Sequence, residues 1–435
     1  MITIVYIVYK GKIIYGKAFV MKKLISLILL LLFASLALSA CGNGDADVSS
    51  AESQAAESTS VQSNASESQS SEQSGVVDIP WEVPEDIENP SQGLELVESY
   101  SKEFGDCYIV VGIGTCEDVD IVIPSTVNGI PVVEIADKAF YKNNKIKSVY
   151  CGNRVTTIGK FAFDTCKNLK KVIIPDSVTF LKEQAFASSG VADVIMSDRI
   201  TKMERAVFVN CDSLKSIELP YALTVLTQEM FQNCDLLKEV EMGPNVTDIE
   251  RDVFAATSLN HIKLPAYVEN VDPTSFQYTQ LQSFEVDKNN PYLCSVEGVL
   301  YSKDMSTLIA YPHARGNYII PDGVKLIDTQ AFYRDAYTSL EVTLPDTMRT
   351  VNEWAFHFEY AGDLIVNIKK GLSYIENFAF TVPEGKVTIN FEGTKDEWNA
   401  IRKAEHWYVP YGGFGNQNTT VKCSDGDLTF EYKMQ

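Results

Sequence analysis

The side chains able to carry chemistry are scattered along this chain of 435 residues rather than gathered. His261, His313, His357 and His406 lie in different parts of it, with no His-Glu-x-x-His pair, nucleophile elbow or P-loop. Gly112-Ile113-Gly114 could open a phosphate loop, but a further glycine and a following helix pattern are missing. The nine cysteines include no Cys-x-x-Cys pair and no His-rich companion cluster, so zinc is poorly supported and no metal or cofactor is implied. A Cys/His pair meeting in space could do nucleophilic chemistry. Small buried side chains explain Cys166, Cys211 and Cys234 better, because they recur at one position of a repeat. Carboxylates are numerous enough for a glycosidase-type pair, yet none stands out. Cys107 and Cys116 flank an apolar run and could pair in an oxidising exterior; spacing does not decide it. The inventory favours binding over catalysis.

Charge narrows the partners. A net charge of -21 lacks the clustered Lys and Arg that a phosphate backbone demands, which argues against nucleic acid. It fits an exported surface and cationic partners.

Targeting is written at the N-terminal end. From Met21 the chain reads Met-Lys-Lys, an apolar stretch from Leu24 to Ala37, then Leu38-Ser39-Ala40-Cys41. A basic start, a short apolar core and small residues before the cut make a secretory signal. The stretch is shorter than the roughly 20 residues of a membrane-spanning helix, although an uncleaved anchor is the alternative. Its end resembles the bacterial lipobox, and that resemblance implies that Cys41 is acylated and becomes the mature N-terminus. Residues 1–20 are read as a gene-start artefact and 21–40 as the signal. Residues 41–92 are read as a tether; 42–75 hold Ser, Glu, Gln, Ala and Asp with almost no large apolar side chain, a composition that stays disordered.

The elements that must position any binding residue come from a repeat. An apolar residue followed five positions later by Phe occurs ten times: Ile135/Phe140, Ile158/Phe163, Leu181/Phe186, Met203/Phe208, Leu226/Phe231, Ile249/Phe254, Val271/Phe276, Ile327/Phe332, Val351/Phe356 and Ile375/Phe380. Neighbouring Phe residues are 22 to 24 apart except between Phe276 and Phe332. Between them runs Leu-x-x-Val-x-Ile or an equivalent, as in Leu169, Val172 and Ile174, and its period of two reads as a short strand with one buried face. Pro175, Pro220, Pro265, Pro321 and Pro345 follow such strands and end their pairing. A unit of this size cannot bury its own apolar face, but stacked neighbours can. Val172, Ile217 and Ile262 are thus expected in one parallel sheet, with a Phe ladder behind.

Several stretches carry a family resemblance: Ile158-Gly159-Lys160-Phe161-Ala162-Phe163-Asp164-Thr165-Cys166-Lys167-Asn168-Leu169, the opening Asp120-Ile121-Val122-Ile123-Pro124-Ser125, and the closing Phe391-Glu392-Gly393-Thr394-Lys395-Asp396-Glu397-Trp398. Over roughly residues 107–430 the chain resembles the BspA-type leucine-rich repeat proteins of bacterial surfaces. The long interval, with Val286-Asp287-Lys288-Asn289-Asn290-Pro291 and Gly298-Val299-Leu300-Tyr301, is similar to a family insertion. The resemblance implies adhesion or binding and brings no catalytic residues.

The expected architecture is an α/β-type repeat solenoid, curved and right-handed, with units of about 23 residues and short parallel strands on one face. The solenoid is placed at 93–392, with an N-terminal cap and an insertion at about 284–320. A capping segment follows at 393–435, where Trp398, Trp407, Tyr408 and Tyr411 cluster. Alternation sets Ile173, Ile195, Glu218, Glu241, Lys263, Glu285 and Thr343 toward solvent, with Glu239 and His261 one step outside. The candidate binding face is therefore Glu218, Glu239, Glu241, His261, Lys263 and Glu285, against the plainer reading of a solvated polar surface. The expected protein is a monomer on the extracellular face of the bacterial cell membrane, attached through its N-terminal lipid only. Its partner would be a host or neighbouring-cell surface protein or glycan. The other classes are an envelope-associated carbohydrate-processing enzyme or accessory factor, and a structural spacer.

Overall fold

The computed structural model describes residues 89–334, 338–359, 362–383, 385–409 and 417–432, with Val8–Tyr9 and Lys12–Ile13. The chain divides into two units, Met1–Glu85 and Asp86–Gln435. In the first, Val8–Tyr9 pairs antiparallel with Lys12–Ile13. The signal, Cys41 and the Ser/Glu-rich stretch lie outside the described residues.

The second unit is a parallel β-solenoid, each coil contributing to three sides. The front ladder begins with Asp120–Val122, Ser148–Tyr150, Lys171–Ile173 and Asp193–Ile195 in parallel register. It continues as two separate pairs, Ser216–Glu218 with Glu239–Glu241 and His261–Leu264 with Ser283–Val286. It resumes through Tyr318–Ile319, Leu340–Thr343, Leu364–Ile368, Lys386–Phe391 and Gln417–Cys423, and closes on antiparallel Gly426–Tyr432. Val172, Ile217 and Ile262 are buried as expected, but the one sheet foreseen for them is divided among three. Proline ends the strands by a specific route: the carbonyls of Pro175, Pro220 and Pro345 accept from Val178, Leu223 and Met348, closing a turn at each corner.

A side ladder of two-residue strands follows each corner. It links Ile130–Ile135, Thr157–Ile158, Phe180–Leu181 and Lys202–Met203, then separately Val225–Leu226, Asp248–Ile249 and Asn270–Val271. The inward residues are the apolar markers, such as Ile158, Leu181 and Leu226, all fully buried.

The third side corrects the α/β expectation. The described helices are a 3-10 turn at Pro273–Phe276 and one α-helix, Lys395–Ala400. In the other early repeats the Phe-bearing segment is a chain of turns in which residues two before and two after Phe have positive φ: Lys138 and Lys142, Phe161 and Thr165, Gln184 and Ser188, Ala206 and Asn210. This alternation points every second N–H at the next coil. Lys138, Phe140 and Lys142 donate to the carbonyls of Lys160, Ala162 and Asp164 at 2.8 Å each. The intervening N–H groups close local turns, Ala139 to Ala136 and Tyr141 to Lys138. A helix would satisfy its backbone within itself; this segment bonds the stack together instead.

Phe140, Phe163, Phe186, Phe208, Phe231, Phe254 and Phe276 stack with successive centroids 5.1 to 5.8 Å apart, within ordinary aromatic stacking distance. A second column runs Tyr311, Phe332, Phe356 and Phe380. Between them stands the insertion, an antiparallel meander of Leu293–Val296, Val299–Ser302 and Thr307–Ala310. Its first turn is Glu297-Gly298, both with positive φ, as a two-residue hairpin requires. Leu293, Leu300 and Ala310 enter the core before it; Val299, Tyr301 and Leu308 enter the core after it. The meander is a wall with two buried faces. At the far end Trp398 and Trp407 are buried, edge-on to each other and to Phe391 and Phe380.

Candidate functional site

All six residues of the candidate face are exposed, and they stand on consecutive front strands. Register brings Glu218 opposite Glu241, and Glu239 opposite Ser216. Lys263 lies opposite Glu285, and His261 opposite Ser283. Parallel neighbours are about 4.8 Å apart, so the Glu218 and Glu241 carboxylates repel unless a cation lies over them. The remaining three residues form a mixed cluster. Glu285 Oε1 is 3.5 Å from Lys263 Nζ, and its Oε2 is 3.4 Å from His261 Nε2. The other His261 nitrogen, Nδ1, lies 2.8 Å from Ser283 Oγ. The six residues are not one acidic stripe.

Alternation along one strand missed Ser283. The repeat contained the signal, since His261 and Ser283 stand 22 residues apart at one position. It also missed how the face changes along the solenoid. Before the carboxylates, the same outward row holds Val122, Tyr150, Ile173 and Ile195, each half-buried and in register. After the insertion it holds a ladder of side-chain amides: the Asn367 amide donates to Thr343 Oγ1 at 3.0 Å and to Glu341 Oε1 at 2.9 Å, and the Asn390 amide donates to Asn367 Oδ1 at 2.7 Å. One face thus shows apolar, charged and amide zones in turn.

Behind the face the repeat cysteines are structural. Sγ of Cys166, Cys211 and Cys234 donates to the carbonyls of Phe140, Phe186 and Phe208, one coil back, at 3.1 to 3.2 Å. Burial pushes the Cys166 thiol up to about 12 and that of Cys151 likewise, so both stay protonated. Thr257 fills the corresponding place by donating to Phe254 O at 2.8 Å. Cys107 and Cys116 are both free thiols. Among the described residues no cluster of His, Cys, Asp and Glu could hold a metal.

A stack of short parallel coils with a ring ladder and a varied outer strand face defines a leucine-rich repeat scaffold. The chain belongs to the BspA-type leucine-rich repeat family: that family's repeat region matches residues 133–258, 201–296 and 315–397, in six copies. Among solved structures it is similar to a leucine rich cell surface protein from Faecalibacterium prausnitzii A2-165, at 22% identity over 72% of this chain and 97% of that one, TM-score 0.49. It is also similar to the pneumococcal vaccine antigen PcpA, at 19% identity over 72% and 95% of the two chains, TM-score 0.46. A leucine-rich repeat protein from Eubacterium ventriosum is 20% identical over 68% and 70%, TM-score 0.39. No curated protein matches the chain.

Proposed function

We propose that the protein is a bacterial surface binder, held to the outer face of the cell membrane by lipid on Cys41, that engages a host or neighbouring-cell protein or glycan through its front ladder. The observation that carries this reading is the contrast along each front strand. Inward residues such as Val172, Ile217 and Ile262 are apolar and buried, whereas outward residues change from Tyr150 to Glu218, Lys263 and Asn367. A spacer needs only the first set; a recognition surface needs the second to vary by position.

The test is a pull-down with the immobilised full chain against matrix proteins, mucins and cell-wall glycans. Glu218→Lys with Glu241→Lys is expected to weaken capture more at low salt than at high salt. Unchanged capture at both salt levels would remove the carboxylate zone from the interface. Fatty-acid labelling tests the anchor separately: label is expected on the wild type and not on Cys41→Ala, and persistent label would exclude Cys41.

A further inference from the structure

We propose that the seam between the coils carrying Phe208 and Phe231 is a second binding site, on the side ladder, for a short neutral oligosaccharide. Two ladders lose their pairing at this one junction. Lys202–Met203 pairs with Phe180–Leu181 but not with Val225–Leu226, and Asp193–Ile195 pairs with Lys171–Ile173 but not with Ser216–Glu218. The third side holds: Ala206, Phe208 and Asn210 donate to Gln228, Met230 and Gln232 at 2.8 to 3.0 Å. The coils keep regular backbone pairing along the Phe column, whereas on the other two sides strand pairing is missing and a single backbone bond, Ala222 N to Asp198 O at 3.0 Å, crosses at the corner.

The front strand Asp193–Ile195 is followed by Met196-Ser197 in place of a proline turn, and Phe186 to Phe208 spans 22 residues instead of 23. Gly190 keeps this coil in close contact where it must turn, since a Cβ there would collide with the Lys167 carbonyl. On the side ladder, the Thr227 hydroxyl donates to Glu204 O at 3.0 Å across the gap.

An open groove of about 730 Å³ lies over the unpaired strands. Leu223 and Val225 contribute apolar carbon, and the rim carries the carboxylates of Glu183, Glu204 and Glu250. Two of these are fixed by backbone: Glu204 Oε2 accepts from Glu183 N at 3.0 Å, and Glu250 Oε2 accepts from Gln228 N at 2.8 Å. The cations at the rim are already engaged. Arg205 donates to Glu229 at 2.8 and 3.0 Å, and Lys202 lies 3.3 Å from Glu204 and over the Phe180 ring. A polyanion would meet three carboxylates, and a polycation would meet Lys202 and Arg205. A neutral ligand with many hydroxyls has donors for anchored carboxylates and a C–H face for the apolar patch, and it brings no charge to desolvate.

The experiment is calorimetric titration of the full chain with maltotriose, cellotriose, triacetylchitotriose and N-acetyllactosamine. At least one is expected to bind with a Kd below about 1 mM. Thr224 is exposed at the rim, so Thr224→Trp fills the groove and is expected to weaken that binding about tenfold or more. Lys202→Trp repeats the test should the first variant lose its cooperative melt. Glu218→Lys with Glu241→Lys is expected to leave sugar binding unchanged, which separates this site from the front face. Binding by none of the four sugars, native-like binding in both filled variants, or displacement by heparin or polylysine would each overturn the proposal.

Discussion

Between Phe140 and Phe276 the coils are 22 or 23 residues long, whereas Phe332, Phe356 and Phe380 are spaced by 24. Both halves keep positive φ two residues before Phe, at Gln184 or Glu229 in the first and at Gln330, Trp354 and Phe378 in the second. Only the first half has positive φ two residues after it, at Thr165, Ser188, Asn210 and Asn233. In the second half the chain runs on from Phe as strand, and Phe332–Arg334, Phe356–Phe358 and Phe380–Thr381 pair in parallel. Front strands also lengthen, from Lys171–Ile173 to Lys386–Phe391. One backbone switch after the ring decides whether neighbours are joined by turns or by sheet. The aromatic column is indifferent to that choice.

The strongest way to break the comparison is to remove a ring from each half. Phe208→Ala and Phe356→Ala should each cost about 3–5 kcal/mol, because each deletes a fully buried side chain within a column. They should differ in how unfolding is divided. Phe208 lies at the seam, where the Phe side keeps most of the backbone bonds, and the two apolar cores meet at the meander. Three of the four tryptophans, Trp354, Trp398 and Trp407, lie in the second half, and Trp81 precedes the solenoid. In urea, Phe208→Ala should shift the circular dichroism transition to lower denaturant and leave tryptophan fluorescence largely in place. Phe356→Ala should move the fluorescence. Coincident shifts by both probes in both variants would show that the halves unfold as one.

A smaller effect comes from the groups that satisfy backbone carbonyls. Thr381 Oγ1 donates to Phe378 O at 2.8 Å within its own coil, and Cys234 Sγ donates to Phe208 O at 3.1 Å across coils. Thr381→Val should cost about 1–3 kcal/mol by leaving a half-buried carbonyl without that donor. Cys234→Val should cost less, since a thiol is a weak donor. Equal losses in thermal melts would mean that packing at these places outweighs the hydrogen bond.

These differences mark what the sequence could and could not disclose. The ring column was legible because Phe recurs at fixed spacing and one unit cannot bury it alone. The exposure of Glu218, Glu241, Lys263 and Glu285 was legible from the period of two. The third side was not: left-handed residues in the first half include Lys138, Phe161, Thr165 and Gln184, and no glycine marks them. Their conformation is imposed by stacking, which local propensity does not report. The seam was hidden for a similar reason, since pairing between Lys202–Met203 and Val225–Leu226 depends on two coils at once. The missing proline after Ile195 and the 22-residue interval are its local marks, and each also occurs at a junction that stays paired.

Acidity should separate the halves further, with opposite signs. In the second half, burial pushes His357 below its ordinary 6.5, opposed by Glu359. The unfolded chain therefore takes up the proton first, and stability from this group is present above pH 6.5 and lost as pH falls through the folded value. In the first half, burial pushes the Asp252 carboxyl above 3.8, opposed by Arg251. Its contribution is present below 3.8 and lost as pH rises through the folded value. Tryptophan-monitored melts should weaken between pH 7 and 5, and His357→Gln should flatten that slope. Asp252→Asn should gain on the wild type as pH rises from 4. A wild-type slope retained in His357→Gln would assign the acid loss elsewhere.

The smallest expected gain, set against a large loss at the matching position, tests the switch itself. Thr165 is β-branched and sits at φ 61°, while Asn210 and Asn233 occupy the same place two residues after Phe. A left-handed conformation costs an ordinary L-residue about 1–2 kcal/mol, and Asn less because its short amide can bond locally. Thr165→Asn should therefore stabilise the first half by roughly 0.5–1 kcal/mol, after losing the Thr165 hydroxyl bond to Asp164. The matching exchange in the second half, Phe358→Asn, puts a polar group into a fully buried site where the chain is already strand. It should destabilise by about 3–5 kcal/mol, the scale of losing a buried ring. Opposite signs at one repeat position would show that the halves differ in backbone conformation. Stabilisation of both would mean that the second half can also turn after its ring.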